Sequence, residues 1–432
     1  MSARIALVSE HASPLAALGG VDSGGQNVYV AQTARHLAGM GFHVDVFTRR
    51  DDEDLPAIVE WAPRLRVIHV RAGPAQFVRK EYMLPYMAQF AREIAAIARA
   101  ARDRGVPYAL THAHFFMSGL VARRLKEELG IPYVVTFHAL GKVRLIYQPH
   151  DEFPSQRCAI EQMVIDAASF IVAECPQDEM DLRRLYRAPQ SRIRMIPCGF
   201  DPGELGSVDR AAARRRLGLP LDRPIILQLG RMVPRKGVDT VIRALALLER
   251  RFHRSALLVI VGGETPEPDP ARTPEIGRLM QIAADEGVTA NVKFVGQRAR
   301  TELRYYYSAS DVFVTMPWYE PFGITPVEAM ACGIPVIGAR VGGVQYSVED
   351  GRTGFLVEPR NADALARRLA HVFSDPSIAR LLGKRARRRA YDLFTWQKVS
   401  NALADVYAEV AMPPPLAVPR RGYAQQRAQP GS

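Results

Sequence analysis

Short apolar runs alternate with segments of helical periodicity along almost the whole chain. In the first half, runs such as 4–8 and 133–137 predict strands, and the segment 26–40 predicts a helix. The alternation resumes after residue 220, where strand 224–229 precedes helix 238–251. Buried strands that alternate with helices are typical of parallel sheets covered by helices on both faces. The pattern therefore predicts the α/β fold class.

This alternation is interrupted around residues 198–222, where the segment CGFDPGELGSVD supplies Gly, Pro and Asp. Each half is long enough to form its own sheet, so we predict two Rossmann-like domains. The predicted units are an N-terminal domain, a second domain, a final helix and a disordered Pro- and Arg-rich tail, over 1–197, 198–394, 395–411 and 412–432. Such proteins bind their ligand at the carboxyl ends of the strands, in the crevice between domains.

Composition and charge narrow the class of protein. The 432 residues carry 57 Lys and Arg against 45 Asp and Glu, a formal net charge of +12. This excess suits phosphorylated small molecules, nucleic acid or anionic lipid, or it is a basic solubility surface. Collagen, coiled coil, disorder and small disulfide-stapled scaffolds are excluded by the composition.

Cysteine usage and hydropathy bear on location. The four cysteines are scattered, which suits a reducing compartment, and no apolar stretch approaches 18 residues. The first residues, MSARIALVSEH, are typical of a first strand rather than a signal peptide. We expect a cytoplasmic protein, with peripheral contact with an anionic membrane left open.

Three loops after predicted strands carry candidate chemistry. Gly24 and Gly25 precede a helix that opens near Gln26, so backbone N–H groups there can approach a phosphate or sugar. The loop matches neither a Walker motif nor a G-x-G-x-x-G fingerprint, and a flexible capping loop is the alternative. After strand 224–229, Arg231 and Lys236 can clamp a diphosphate, or they belong to a solvated basic loop.

The third loop, WYEPFGITPVEAMACG, holds Glu320 and Glu328 eight residues apart. Thr325 to Glu328 matches a capping box with Pro at the first helical position, so Glu328 is a candidate cap of its own helix. The alternative is that its carboxylate accepts hydrogen bonds from a vicinal diol such as a ribose.

Two segments carry a family resemblance. GRMVPRKGVDTVIRA and EPFGITPVEAMACGIPVIGARVGG resemble the retaining GT-B glycosyltransferases of family 4. The segment VDSGGQNVYVAQTARHLAGMGFHVDVFTR is similar to the subgroup of sucrose-phosphate synthases and the mycothiol-pathway glycosyltransferase. The resemblance covers residues 1–410 and implies an active site in the interdomain cleft, with the final helix crossing back onto the first domain. It also implies a nucleoside diphosphate sugar as donor, with UDP-glucose favoured. The implied reaction retains the configuration at the anomeric carbon and needs no metal or cofactor.

The resemblance also implies roles for individual residues. Those with catalytic roles are His138, Arg231, Lys236 and Glu320. Those that bind the donor are Gly24, Gly25, Phe322, Gly323, Ile324, Thr325 and Glu328, with Gly296, Gln297 and Arg298 at the base. Those on the acceptor side are Gln26, Asn27, Lys80, His114 and Arg157.

The histidines raise the question of zinc. His112 and His114 share one face of a strand, and His138 follows the next strand. No Cys or carboxylate completes the set at ligand spacing, so we predict no metal site. We expect His114 on the cleft wall, facing the acceptor, with a structural histidine as the alternative.

Lys80 and Arg157 occupy positions where relatives with phosphorylated acceptors carry basic residues, so the resemblance implies an anionic acceptor. However, Phe115 and Ala139 replace the Tyr and Thr of the mycothiol-type relatives. This weakens the case for inositol phosphate. A sucrose-phosphate or sucrose synthase-like enzyme is the first alternative. The second is a basic nucleic-acid or membrane-binding protein on a degenerate scaffold. Against it stand the intact motif residues and the lack of a nucleic-acid motif.

Overall fold

The computed structural model describes residues 3–16, 24–150 and 152–411, so the predicted tail at 412–432 lies outside the described residues. The first half of the chain forms an eight-stranded sheet. Its strands are β1 (Arg4–Val8), β2 (His43–Arg49), β3 (Ile58–Ala62), β4 (Leu65–Val70), β5 (Tyr108–His114), β6 (Tyr133–Thr136), β7 (Phe170–Ala173) and β8 (Ile193–Met195). Their order is β3-β4-β2-β1-β5-β6-β7-β8, and all pairs are parallel except β3 with β4.

The helices of this half connect successive strands. They are α1 (Gly25–Gly39), α2 (Met87–Asp103), α3 (Phe116–Leu129), α4 (Gly141–Tyr147), α5 (Arg157–Ala167) and α6 (Pro176–Tyr186). The periodicity of residues 83–104 predicts a helix over this whole segment, but α2 begins only at Met87 because two 3-10 turns precede it, with Pro85 in the second. Proline disfavours the helical conformation in the residue before it and donates no backbone hydrogen bond, which delays the start of α2.

The second half forms a six-stranded, wholly parallel sheet. Its strands are β9 (Ile225–Leu229), β10 (Leu257–Val261), β11 (Val292–Gly296), β12 (Val312–Thr315), β13 (Val336–Ala339) and β14 (Gly354–Val357), in the order β11-β10-β9-β12-β13-β14. Its helices are α7 (Arg210–Leu217), α8 (Val238–Phe252), α9 (Pro274–Asp285), α10 (Arg300–Ala309), α11 (Ile324–Ala331), α12 (Val344–Ser347), α13 (Ala362–Ser374), α14 (Pro376–Leu393) and α15 (Trp396–Ala411). These two sheets confirm the predicted fold class.

The pattern of apolar and polar residues does not predict the elements β3, β14, α4 and α12. Strand β3 is antiparallel at the sheet edge and partly exposed, so it lacks the continuous apolar run of a buried parallel strand. The other three span only four to seven residues, too few to establish a periodicity.

Strand order places the ligand loops. In the first sheet the chain leaves β1 for β2 on one side and later returns to β5 on the other. In the second sheet β9 is flanked in the same way by β10 and β12. A crevice opens where connections diverge from a central strand. The loops after β1, β5, β9 and β12 therefore lie at the two crevices.

The last helix returns to the first domain. The backbone around Phe200 pairs with the segment before α15, since its N–H donates to Phe394 O at 2.8 Å and its carbonyl accepts from Trp396 N at 3.0 Å. Helix α15 then packs against α1, where the Trp396 ring meets Tyr29 edge-on, and its Tyr407 hydroxyl lies 2.6 Å from His112 Nδ1. Among the described helices, none is long and apolar enough to cross a membrane.

Gly199 allows this crossing to be tight, which gives a test. A Cβ at this position would lie 2.9 Å from both Phe394 O and Trp396 N. We expect Gly199→Ala to lower the melting temperature, as a strain of about 1–3 kcal/mol from overpacking would. The matched control is Gly206→Ala in the same linker, where the nearest atom, Pro202 O, is 3.8 Å away. Equal melting temperatures for the two variants would contradict the proposed packing.

Candidate active site in the interdomain cleft

Two adjoining cavities occupy the cleft between the sheets. Both are lined by Gly24, Gly25, Arg231, Arg235, Glu320 and Ile324, which we call the junction. The first cavity extends from the junction toward the N-terminal domain, where its lining includes Gln26, Asn27, Lys80, His138 and Arg157. The second cavity extends into the C-terminal domain, where its lining includes Lys236, Gln297, Arg298, Thr325 and Glu328.

The loop after β9 is fixed by one close approach. Gly237 has φ 65°, and a Cβ there would lie 1.9 Å from Met316 O. Only glycine fits both constraints, so the 3-10 turn Pro234–Lys236 ends against the loop that follows β12. A backbone bond from Trp318 N to Arg235 O at 2.9 Å ties the two loops together.

An ion pair between these two loops lies at the junction. Lys236 Nζ donates to Glu320 Oε2, and Arg235 Nη1 donates to Tyr319 O at 3.1 Å. Burial lowers the pKa of Lys236 to about 8, against the opposing effect of Glu320. Burial alone would raise the pKa of Glu320, but Lys236 and Arg235 outweigh it and hold it below its ordinary value. The Glu320 carboxylate is therefore ionised, and the Lys236 ammonium loses its proton at mildly alkaline pH.

Two helix N-termini face the same point. Helix α11 begins at Ile324 after the N-cap Gly323, and helix α1 begins at Gly25 after the N-cap Gly24. Because glycine has no side chain, neither N-cap residue covers the first N–H groups of its helix. A Cβ on Gly24 would lie 3.4 Å from Arg231 Nε, so the glycine loop packs against the cation. The first N–H groups of a helix have no intrahelical partner, and together with the positive helix ends they favour an anion at the junction.

Glu328 does not cap its own helix, which corrects one of the two interpretations above. Because α11 begins at Ile324, Glu328 lies beyond the first turn and out of reach of the cap. Its Oε1 accepts from Arg300 Nη1 and its Oε2 from the Tyr307 hydroxyl, both at 2.8 Å. Arg300 also donates to Glu204 Oε2 at 2.5 Å. Sequence reasoning missed Arg300 and Tyr307 as partners of Glu328, and Glu204 as a partner of Arg300, since no local motif links these residues.

The rest of the second cavity follows the sequence expectation in part. Gln297 and Arg298 line it beside Thr325. Arg298 is held by bonds from Nη1 to Pro266 O at 2.6 Å and from Nε to the Tyr306 hydroxyl at 3.1 Å. Gly296 does not line the cavity, because it ends β11 against Pro266 O. Phe322 and Gly323 line the first cavity instead, and Ile324 lines both cavities.

The histidines form a layered wall. His138, at φ 57°, lines the first cavity, and its Nδ1 lies 2.7 Å from Glu174 Oε1 while its Nε2 lies 3.1 Å from His114 Nδ1. His114 is fully buried behind it, so the expected place of His114 on the cleft wall is wrong. Helices α1 and α15 cover that face of β5 with Tyr29 and Tyr407.

Burial also sets the charge of these histidines. It lowers the pKa of His112 to about 3 and that of His114 well below its ordinary value, so both are neutral. Within the described part of the chain, no group of three or more His, Cys, Asp or Glu side chains is arranged to hold a metal ion. Glu174, which partners His138, carried no sequence signal that would have selected it.

On the acceptor side, the expected residues lie together but are already engaged. Gln26 Nε2 donates to His114 O at 3.3 Å, and Asn27 Oδ1 accepts from Gly24 N at 2.9 Å. Arg157 donates to Glu161 Oε1 at 2.8 Å and to Ala139 O at 2.7 Å. Its guanidinium also lies over aromatic rings, including that of Phe153 at 4.4 Å. Lys80 lines the cavity close to Glu81.

Comparison with known proteins identifies the family of this chain. A model of glycosyltransferase family 4 matches residues 23–204, and a model of glycosyl transferases group 1 matches residues 209–389. The chain is 36% identical over 410 residues to D-inositol 3-phosphate glycosyltransferase 2 of Catenulispora acidiphila, covering 94% of each protein. It is 34% identical over 414 residues to the D-inositol 3-phosphate glycosyltransferase of Corynebacterium efficiens, covering 94% of this chain and 95% of that protein.

A solved structure agrees with these matches. The sucrose-phosphate synthase of Thermosynechococcus elongatus superposes with a TM-score of 0.86 at 35% identity, over 94% of this chain and 99% of that one. Sequence and structure thus agree over nearly the full length of both chains. The chain belongs to the family 4, group 1 glycosyltransferases, and its two facing Rossmann-like domains form the GT-B fold.

Proposed function

We propose that this glycosyltransferase moves a hexose from a nucleoside diphosphate sugar to a hydroxyl of a small phosphorylated acceptor. UDP-glucose is the favoured donor, and the configuration at the anomeric carbon is retained. One observation carries the proposal. Arg231, the Lys236–Glu320 pair and the N-termini of α1 and α11 converge at the junction of the two cavities. This is an anion site with space on both sides of it.

The chemistry of glycosyl transfer suits that arrangement. Breaking the bond between sugar and phosphate leaves positive charge at the anomeric carbon and negative charge on the departing diphosphate. Fixed cations and backbone dipoles aimed at the diphosphate stabilise that charge without reorganisation. Arg231 and Lys236 supply the charge here, so we propose that the reaction needs no metal. Retention rests on the family resemblance of the E-x7-E segment, with the acceptor hydroxyl attacking from the face that the diphosphate leaves.

The second cavity suits the nucleoside. Each carboxylate oxygen of Glu328 has one protein donor, and a carboxylate oxygen can accept a second hydrogen bond. A ribose diol can therefore bind Glu328 while Arg300 and Tyr307 keep its orientation. The base would lie against the backbone of Gln297 and Arg298, which line the same cavity.

The first cavity suits the acceptor. Lys80, Arg144 and Arg157 line it, which supports an anionic group on the acceptor. The relatives described above are named for a phosphorylated polyol or a phosphorylated sugar. A sucrose-phosphate synthase-like activity is the alternative that the structural match favours. We place the activity in the cytoplasm, because all four cysteines are free thiols.

A donor panel tests the proposal. The protein is incubated with UDP-, GDP- and ADP-sugars, each with inositol phosphates or hexose phosphates as acceptors, and the released nucleotide is measured. We expect release with a UDP-hexose that depends on a phosphorylated acceptor, and NMR of the product should show the donor's anomeric configuration. Release requiring added Mg²⁺, an inverted product or no release with any pair would contradict the corresponding part of the proposal.

Arg231 provides a mutational test. Arg231→Ala should lower kcat by about a hundredfold, by analogy with the loss of one preorganised donor to a developing oxyanion. The matched control is Arg243→Ala on α8, whose side chain is half exposed and paired with Glu286 at 2.8 Å. We expect the control to keep full turnover. Equal kcat values for both variants would remove Arg231 from the proposed mechanism.

The pKa of Lys236 predicts a pH dependence. The Lys236 side chain is charged below its pKa of about 8, and this charge is lost as the pH rises through that value. The affinity for UDP should therefore fall between about pH 7 and pH 9, because the diphosphate loses one cation. In Lys236→Arg the guanidinium stays charged, so this part of the fall should disappear. Ionisation of UDP itself affects both proteins alike, and identical profiles measured by calorimetry would refute the role of Lys236.

A further inference from the structure

Glu174 is a carboxylate on the cleft wall that the proposed chemistry has not used. It follows strand β7 and lines the first cavity. Its Oε1 accepts from His138 Nδ1 at 2.7 Å and from Cys198 Sγ at 3.3 Å, and its own N–H donates to Asp178 Oδ2 at 3.0 Å. Among the residues that the structure describes, none donates to its Oε2 and no Lys or Arg forms an ion pair with it.

His138 lines the first cavity and also holds Glu174 in place. Both ring nitrogens of His138 are occupied, one by Glu174 and the other by His114. The ring therefore has no nitrogen left for a ligand without breaking one of these bonds. Because Nδ1–H donates to the carboxylate, His138 fixes the orientation of Glu174. The polar group that this wall offers to a ligand is the carboxylate.

The position of Glu174 relates it to the transferred sugar. The adjacent Cys175 Sγ donates to Pro321 O at 3.3 Å, which holds the end of β7 against the loop of Glu320. Cys198, which donates to Glu174 at 3.3 Å, lines the first cavity together with Glu174 and Glu320. With the diphosphate at the junction, the sugar attached to it enters the first cavity beside Glu320 and meets this wall.

We propose that Glu174 accepts hydrogen bonds from hydroxyl groups of the transferred sugar and that its negative charge excludes donors whose sugar carries a carboxylate. This rests on the proposed function and narrows the donor class to neutral sugars. An ionised carboxylate only accepts hydrogen bonds, so sugar hydroxyls complement it. A uronic acid would bring a second negative charge next to one that no described Lys or Arg pairs with, and like charges there repel.

The test is equilibrium binding of UDP, UDP-glucose and UDP-glucuronate to wild type and Glu174→Gln. The wild type should bind UDP-glucose about tenfold or more tightly than UDP-glucuronate, as juxtaposed like charges weaken binding. In Glu174→Gln, the amide keeps the shape and removes the charge, so the ratio should fall to about threefold or less, with UDP affinity unchanged.

The matched control is Asp178→Asn. Asp178 accepts the N–H of Glu174 but lines a different cavity, on the far side of Tyr319. Burial raises the pKa of Asp178 to about 8, so at neutral pH the side chain is largely uncharged and the amide changes little. This variant should keep the wild-type ratio between the two sugar nucleotides.

Each outcome bears on the assignment. Equal affinities of the wild type for both sugar nucleotides would overturn it, and that measurement does not depend on any variant folding. A wild-type ratio retained in Glu174→Gln, or lost equally in Asp178→Asn, would also overturn it. If UDP is bound while the ratio is absent, the proposed function stands and this assignment falls. If the wild type binds no UDP, both fall together.

Discussion

The ion pair between Lys236 and Glu320 is the contact on which the arrangement of the site depends. Its partners lie 84 residues apart, in the loops after β9 and β12. Both side chains are largely removed from water, so each charge needs the other, and removing one partner of such a pair commonly costs about 3–5 kcal/mol. Gly237 lets the two loops approach, and the pair then fixes the lysine where an anion can reach it.

The strand order explains why these loops meet at all. In both sheets the chain changes sides at a central strand, and in both the loops at that point face the cleft. The first sheet contributes the start of α1 and the second contributes a cation loop and the start of α11. Helix α15 returns to the first domain and links the two sheets through the contacts of Trp396 and Tyr407. The geometry of the candidate site thus follows from the topology, with few side chains needed to define it.

The sequence predicted what depends on local pattern. Strand and helix periodicity, the glycines before α1 and the cations after β9 were all legible, because each is set by neighbouring residues. Contacts between distant segments were not. The sequence allowed Glu328 a capping role, but in the structure its partners are Arg300 and Tyr307. His114 was expected on the cleft wall, but Tyr407, 293 residues later in the chain, packs against the neighbouring His112. Glu174 follows an ordinary buried strand, and nothing in its local sequence distinguishes it from a surface carboxylate.

The charge distribution of the cleft differs from that of the whole chain. A net charge of +12 suggested an anionic ligand, yet three carboxylates lie in the cleft of this basic protein. Cations and helix ends surround the junction, while Glu328 lies on one side of it and Glu174 on the other. A nucleotide sugar has the complementary order: a ribose diol, two phosphates, and a sugar rich in hydroxyl groups. The alternation of charge along the cleft, rather than its sum over the chain, therefore supports the proposed nucleotide-sugar ligand.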